Sequence, residues 1–146
     1  MTAVRDAVQG SDGVPRRVLV VDDEYDLAHL AKALLESHGF DVQVACSAEE
    51  ALHVLESDAA IDALFSDIMM PGMTGLQLAR EVGQRYPHIR IVLTSGYTLP
   101  SLLAEQDVPH PFVGKPYQIG AVVRLLRAGC ATAGQDKPVN PIQVRP

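Results

Sequence analysis

Five side chains that can carry out chemistry follow short apolar runs of the chain. Two neighbouring aspartates come after residues 17–21, and an aspartate, a threonine and a lysine end later runs. They are Asp22, Asp23, Asp67, Thr94 and Lys115. In an open parallel sheet, the carboxyl ends of the strands meet at one edge, where ligands bind. The pattern therefore predicts one site with three carboxylates, a hydroxyl and an ammonium.

The chemistry of these groups favours a divalent cation and a phosphoryl group. Clustered carboxylates repel one another and lose solvation on burial, and a cation relieves both effects. Hard oxygen ligands select Mg²⁺, Mn²⁺ or Ca²⁺ over zinc, and a site with open positions for water and phosphate suits Mg²⁺, with Mn²⁺ as an alternative. Lys115 and Thr94 match phosphoryl oxygens, and Asp67 is the natural nucleophile, giving an aspartyl phosphate.

Each of these residues also has an ordinary structural interpretation. Asp22 and Asp23 are suited to cap a following helix. Lys115 could be a solvated loop lysine, and Thr94 an ordinary strand residue. The presence of all of them at strand ends favours the functional interpretation, because independent features then agree.

The elements around these residues alternate between strands and helices, and five such units are predicted. The runs that lead to Asp22, Asp67 and Thr94 are almost wholly apolar, which is typical of parallel strands buried on both faces. With right-handed crossovers, this predicts an α/β, flavodoxin-like fold with a doubly wound five-stranded parallel sheet of order 2-1-3-4-5 and helices on both faces. The crevice between strands one and three would then hold the three aspartates.

Apolar spacing and capping residues locate the helices. In the first helix, the residues spaced for a single face are Leu27, Leu30, Ala31, Leu34 and Leu35. Ser47 with Glu50, and Thr74 with Gln77, have the spacing of capping boxes for the next two helices.

Later segments are less regular, and they set the predicted domain limits. A short helix is predicted over 101–106, and a last helix over 117–128 that ends at Gly129. Residues 1–15 are expected to be a flexible extension, 16–129 the single domain, and 130–146 a flexible tail.

The composition argues against several classes of protein. The chain has 146 residues, and 47% of them are hydrophobic, which is enough for the core of one domain. Its formal net charge of −6 argues against nucleic-acid binding. Cys46 and Cys130 make no disulfide framework, and neither a signal peptide nor a membrane-length apolar run is found. We therefore expect a cytoplasmic protein with no nucleic-acid or membrane partner.

Four motifs together resemble the receiver domain of two-component response regulators. They are Val20–Glu24, Asp67 with Met70–Gly75, Leu93–Tyr97 and Lys115–Tyr117. The resemblance covers the chain from about residue 17 to residue 128. Each motif alone is weak, but their order, with one motif at each strand end, is very specific.

The resemblance implies a role for each carboxylate. Asp67 would accept a phosphoryl group from a phosphohistidine on a sensor histidine kinase or a histidine phosphotransfer protein. Asp23 and Asp67 would bind Mg²⁺ directly, together with the backbone carbonyl of Met69. Asp22 would act mainly through a metal-bound water.

The resemblance also implies a switch between two states. Lys115 would pair with the phosphoryl oxygens, and its peptide bond to Pro116 would be cis. Thr94 would move to hydrogen-bond the phosphoryl group, and Phe112 would turn inward as the threonine vacates space. Phe112 is also suited to be plain core, so both interpretations stay open for it.

Met69 and Gly96 occupy positions where polar side chains in the family help to align the hydrolytic water. Neither residue offers a side-chain hydrogen bond, so we expect slow autodephosphorylation. The irregular region after Gly96 argues against a conventional dimer through the fourth helix, and we expect a monomer or weak homodimer.

These expectations favour a stand-alone receiver that is not an enzyme. Phosphorylation of Asp67 would change a surface that an unidentified downstream protein reads, or the phosphate would be relayed onward. One alternative is a pseudo-receiver, a binding module that ignores phosphate. Another is a Mg²⁺-dependent phosphatase of the haloacid-dehalogenase type, but that chemistry needs an acid at position 69, where Met69 cannot transfer a proton.

Overall fold

The computed structural model describes residues 16–96 and 110–131, which form five strands and four helices. The strands are β1 Arg17–Val21, β2 Asp41–Ala45, β3 Ala63–Asp67, β4 Arg90–Ser95 and β5 Phe112–Gly114. The helices are α1 Tyr25–Glu36, α2 Ala48–Ser57, α3 Gly75–Arg85 and α4 Ile119–Ala131. The short helix predicted over 101–106, the extension over 1–15 and the tail from 132 onward lie outside the described residues.

The sheet has the order β2-β1-β3-β4-β5, and all of its paired strands are parallel. The predicted flavodoxin-like topology is therefore confirmed. The strand order reverses beside β1, so the ends of β1 and β3 face one crevice at the carboxyl edge of the sheet. The register places Asp67 opposite Thr94 on the neighbouring strand.

Two apolar cores cover the two faces of the sheet. Leu19 and Val21 join α2 and α3 in one core, whereas Val18 and Val20 join α1 and α4 in the other. This division follows from the strand geometry, because successive side chains point to opposite faces. Each fully buried leucine or valine stabilises the fold by about 1.5–3 kcal/mol relative to an exposed one.

Only two of the five residues that are spaced for a single face of α1 are buried in the core. Ala31 and Leu35 are buried, and Ala28 is buried beside them. The other three leucines remain substantially exposed, at 38% for Leu27, 55% for Leu30 and 36% for Leu34. The two sets lie roughly 100° apart around the helix, which is one residue step. The alanines face the sheet because their small side chains let α1 pack closely against it.

The helix ends agree with the prediction in part. Thr74 and Gln77 form the complete predicted capping box at α3. At α2, Ser47 Oγ accepts from Glu50 N, but the Glu50 carboxylate accepts from Cys46 N rather than from the capping residue.

The last helix differs from the prediction at both ends. It begins at Ile119 and continues to Ala131, so the predicted stop at Gly129 is wrong. A glycine in a helix costs roughly 1 kcal/mol, which lowers its stability without forcing an end. None of the helices in the described ranges combines the length and the apolar character that a membrane span needs.

Candidate functional site

The three predicted aspartates meet at the carboxyl edge of the sheet. Asp22 and Asp23 follow β1, and Asp67 is the last residue of β3. One carboxylate oxygen from each of the three lies within 4.8 Å of the other two. Asp22 and Asp67 are buried, whereas Asp23 stays exposed at the mouth of the crevice. The local backbone agrees with this, because Asp22 Oδ1 accepts from Glu24 N at 2.9 Å and so holds the turn that leads into α1.

A helix-capping role does not account for the aspartate pair. The residue that caps α1 is Glu24, and it makes no side-chain capping hydrogen bond. Asp22 directs its second oxygen to the ammonium of Lys115 instead, at 3.0 Å. The Asp22 carboxylate therefore links the start of α1 to the end of β5.

Lys115 directly follows β5, and its ammonium contacts two of the three carboxylates. Its Nζ lies 3.0 Å from Asp22 Oδ2 and 3.4 Å from Asp67 Oδ2. Its backbone N–H donates to Ser95 O at 2.8 Å, and its peptide bond to Pro116 is cis, as the family resemblance implied. Burial acts to lower the pKa of Lys115, but the two carboxylates outweigh it and raise that pKa, so the ammonium stays charged.

Asp67 lies in an environment that disfavours a charged carboxylate. Burial raises its pKa, the Lys115 ammonium counteracts this in part, and the neighbouring Asp22 raises it further. Within the described part of the chain, Asp67 Oδ1 is buried and has no hydrogen-bond partner. An unpaired buried carboxylate oxygen is costly to the fold, which is typical of a group kept for binding or reaction.

Thr94 borders Asp67 on β4, and Phe112 lies one strand further away, on β5. Thr94 is the register partner of Asp67, and its Oγ1 is also buried without a hydrogen-bond partner among the described residues. Its carbonyl accepts from Ile68 N at 2.8 Å, which fixes the backbone beside the carboxylate. Phe112 is half-buried and packs against the core under α2 and α3. Its predicted movement as a switch stays a prediction.

The donor set fits a hard divalent cation. Three carboxylates lie around a single lysine ammonium, so negative charge is in excess. The open Oδ1 of Asp67 supplies an acceptor that no described protein donor satisfies. Oxygen-only ligands at a partly open site suit Mg²⁺ or Mn²⁺. The carboxylates of Asp22, Asp23 and Asp67 would hold the ion. The contribution of the Met69 carbonyl stays a prediction, and the Met69 side chain is 44% exposed.

Gly75 is a residue of this site to which the sequence analysis gave no role of its own. A Cβ at this position would lie 2.0 Å from the carbonyl oxygen of Asp67, which is a severe overlap with backbone. Gly75 N donates to Ile68 O at 2.8 Å, so the first turn of α3 packs directly on the backbone next to Asp67. A clue was present in the sequence, because glycine is a poor helix former and stands here just after the capping Thr74.

Gly96, one of the two residues predicted to affect autodephosphorylation, has open space around it. Gly96 is exposed, and a Cβ there would have nothing within 4 Å. A larger side chain at this position therefore fits without displacing described atoms.

Comparison with known proteins identifies the family. The family model described as the response regulator receiver domain matches residues 18–125. The transcriptional regulatory protein CpxR of Klebsiella pneumoniae is 34% identical over 113 residues, which cover 77% of this chain and 48% of that protein. The C4-dicarboxylate transport transcriptional regulatory protein DctD of Rhizobium meliloti is 37% identical over 112 residues, covering 75% of this chain and 24% of that protein. The chain thus spans half or less of these curated relatives.

Solved structures agree with this assignment. The response regulator TrrA of Thermotoga maritima, crystallised with Mg²⁺ and BeF, is 31% identical, with a TM-score of 0.66 over 75% of this chain and 98% of that one. A response regulator receiver protein from Sinorhizobium medicae is 29% identical, with a TM-score of 0.70 over 77% of this chain and 91% of that one. With its fold, its acidic crevice and its sequence all in agreement, the chain belongs to the response regulator receiver family.

Proposed function

We propose that this protein is a stand-alone receiver that accepts a phosphoryl group from a phosphohistidine onto Asp67. The observation that carries the proposal is the buried, unpaired Oδ1 of Asp67 beside the Lys115 ammonium. An Asp67 oxygen attacks the phosphorus, the P–N bond to the donor imidazole breaks, and the imidazole leaves with the bonding electron pair and takes up a proton. Lys115 holds the phosphoryl oxygens, and a bound Mg²⁺ would supply neutralisation of their charge.

The same group of residues supports a conformational response. Thr94 Oγ1 lacks a hydrogen-bond partner among the described residues, so a phosphoryl oxygen on Asp67 would offer it an acceptor. We propose that this contact favours the state in which Thr94 faces the phosphate and Phe112 turns inward. The altered surface is then read by a downstream protein, or the phosphate is passed onward.

The test of phosphoryl transfer is intact mass after incubation with Mg²⁺ and acetyl phosphate. We expect a single phosphoryl adduct that is absent without metal and absent in Asp67→Asn. Asp58→Asn is the matched control, since it removes an aspartate far from the crevice and should leave the adduct unchanged. A folded protein that gives no adduct with acetyl phosphate or with a panel of phosphorylated histidine phosphotransfer proteins would instead favour the pseudo-receiver. Release of free phosphate from many phosphomonoesters would favour the phosphatase.

The lifetime of the phosphoryl group is the second part of the proposal. Neither Met69 nor Gly96 offers a polar side chain to align a hydrolytic water, so the decay should be slow, over minutes or longer. Gly96→Asn should shorten the lifetime, and its side chain has room. Gly83→Asn is the control, because Gly83 is an exposed glycine on α3 with equal space. A wild-type lifetime of seconds contradicts this part alone.

The stand-alone role can be tested separately from the chemistry. An antibody raised against the purified chain should detect a product near 15.7 kDa in extracts of the native cells. A substantially larger product would show that the receiver is part of a longer protein. The matched region likewise covers only 48% of CpxR and 24% of DctD.

A further inference from the structure

Two contacts join β3 to the segment that follows β5. One is the ion pair in which Lys115 Nζ lies 3.4 Å from Asp67 Oδ2. The other is an edge-on contact between the rings of Phe65 and Tyr117, with 5.4 Å between their centroids and 77° between their planes. Phe65 lies two residues before Asp67 on the same face of the sheet, and Tyr117 lies two residues after Lys115. The aromatic contact therefore accompanies the ion pair along the same two segments.

The Phe65 ring is a fixed support for this contact. Phe65 lies on the central strand of the sheet, is 2% exposed, and pairs in register with Val20 on one side and Val92 on the other. Tyr117 is half-buried and packs against the same core, on the face of the sheet covered by α1 and α4. Because close packing leaves buried side chains little freedom to move, a ring that packs on Phe65 is held in place by the central strand.

The lysine side chain, in contrast, is held at its end by charge. Its ammonium contacts Asp22 at 3.0 Å and Asp67 at 3.4 Å. Beside it lies an apolar groove of about 350 Å³. The wall of this groove is formed by Lys115, Tyr117, Pro116, Leu27, Leu30 and Leu34. Because a lysine has a flexible four-carbon stem, the groove gives the ammonium room to move away from the carboxylates.

We propose that Tyr117 is a positioning residue that keeps the Lys115 ammonium beside Asp67. The backbone of Lys115 is fixed on its amino side, where its N–H donates to Ser95 O at 2.8 Å. On its carboxyl side, the Tyr117 ring packed on Phe65 fixes the chain two residues further along. With its backbone held on both sides, the lysine stem extends toward the crevice. The Tyr117 ring also occupies part of the wall of the groove into which the stem would otherwise turn.

The electrostatic environment of Tyr117 agrees with this location. Burial raises the pKa of its hydroxyl, the Lys115 ammonium counteracts this, and Asp22 and Asp67 raise that pKa further. The hydroxyl therefore lies close enough to the crevice to be affected by its charges. Because the ring makes the contact with Phe65, we expect the ring rather than the hydroxyl to hold the lysine.

The position of the Lys115 ammonium has two consequences of opposite sign. The ammonium partly neutralises Asp22 and Asp67, so it competes with a divalent cation for these carboxylates. In the proposed function, on which this inference rests, the same ammonium holds the phosphoryl oxygens. Loss of the Tyr117 ring should therefore slow phosphorylation and strengthen Mg²⁺ binding. A substitution that merely loosens the fold would weaken both.

Tyr117→Ala in the full chain tests the proposal. Titration with Mg²⁺ in the absence of a phosphodonor, followed by NMR chemical shifts, gives the Kd for the ion. Intact mass with acetyl phosphate at saturating Mg²⁺ gives the rate of phosphorylation. We expect Tyr117→Ala to lower the rate about tenfold and to lower the Kd about threefold. Tyr117→Phe keeps the ring and should restore both values. Tyr86→Ala is the control, because it truncates another half-buried tyrosine, at the end of α3, and should change neither value.

A Kd that stays the same or rises in Tyr117→Ala, or a rate that does not fall, overturns the proposal. A Tyr117→Phe variant that behaves like Tyr117→Ala also overturns it. If Tyr117→Ala does not fold, Tyr117→Leu keeps apolar volume in the groove without the ring, and the same two opposite changes are required of it. The Kd comparison needs no phosphodonor. A wild-type protein that is not phosphorylated would therefore overturn the proposed function, while the Kd values would still decide the role of Tyr117.

Discussion

Two charged clusters lie at opposite edges of the same sheet, and they differ in how completely their carboxylates are paired. At the amino edge, Arg17 contacts Asp58 at 2.8 Å and Asp41 at 2.5 Å, and Asp62 accepts from the backbone of Arg16 and Arg17. At the carboxyl edge, three carboxylates lie around one lysine, and two buried oxygens lack partners among the described residues.

The pKa shifts of the two clusters have opposite signs. The Arg17 hydrogen bond lowers the pKa of Asp58, whereas burial raises the pKa of Asp67. Folding therefore favours the charged form of Asp58 at the amino edge and disfavours the charged form of Asp67 at the carboxyl edge. Carboxylates that are paired within the chain hold the strands together, whereas the unpaired oxygens at the carboxyl edge are open to the proposed cation and phosphoryl group.

The largest expected effect concerns the glycine that lets α3 pack on the acidic edge. Gly75→Ala should lower the free energy of unfolding by about 3 kcal/mol, because its Cβ would overlap the Asp67 carbonyl. Urea unfolding measures this. Gly83→Ala is the control, with open space at its Cβ, and should raise stability by up to about 1 kcal/mol. Equal behaviour of the two variants would contradict the packing described for Gly75.

The second prediction concerns magnesium. At a Mg²⁺ concentration tenfold above its Kd, the wild-type protein should be more stable by about 1.4 kcal/mol, because the ion binds the folded state. Asp23→Asn should abolish this gain, whereas Asp58→Asn at the other edge should retain it. Thermal unfolding with and without Mg²⁺ gives the comparison. A gain that persists in Asp23→Asn would remove that residue from the ligand set.

The third prediction contrasts one carboxylate from each edge without metal. Asp67→Asn should raise the free energy of unfolding by about 1 kcal/mol, because it removes a charge that burial disfavours. Asp58→Asn should lower it by up to about 1 kcal/mol, because it breaks the ion pair with Arg17. Chemical unfolding in the presence of a chelator measures both, and changes of the same sign would break the comparison.

The free energy of unfolding should depend on pH in opposite ways at Asp67 and Asp58, because their pKa shifts have opposite directions. The raised pKa of Asp67 makes its charged form destabilising, so the gain from Asp67→Asn should be full at neutral pH and shrink as the pH falls through that raised pKa. The lowered pKa of Asp58 gives stability that is present above its ordinary value of 3.8 and lost only below it. Unfolding at a series of pH values separates the two windows.

The last prediction concerns Thr94. Thr94→Val should raise the free energy of unfolding by up to about 1 kcal/mol, because it removes a buried hydroxyl that makes no hydrogen bond in the resting state. Ser66→Ala, one strand away, should cost about 1 kcal/mol, since Ser66 Oγ donates to the Asp67 carbonyl at 2.9 Å. A large loss in Thr94→Val would show that the hydroxyl has a partner before phosphorylation.

Local sequence patterns predicted the structure correctly where a feature depends only on residues close together in the chain. Apolar runs predicted the strands, and the order of strands and helices predicted the topology that the sheet adopts. Thr74 and Gln77 predicted a helix start because both groups of a capping box lie within one turn. The acidic crevice followed from the topology, because parallel strands end at the same edge.

Sequence patterns did not predict features that depend on packing against another element, such as which face of α1 is buried. The leucines of α1 and its buried alanines are both at helical spacing, and only packing against the sheet selects the alanines. Gly75 is a weak helix residue in the sequence, and its necessity appears only when the Asp67 carbonyl lies beside it.

The sequence by itself determined the strand order, the approximate positions of the four described helices and the set of groups that meet at the carboxyl edge, because these depend on local periodicity and on the rules of parallel sheets. Only the tertiary structure decided which oxygens are left unpaired, which face of α1 remains open, and why Asp67 and Asp58 have pKa shifts of opposite sign. Those properties arise from desolvation and from contacts between residues distant in the chain, and neither is encoded in local spacing.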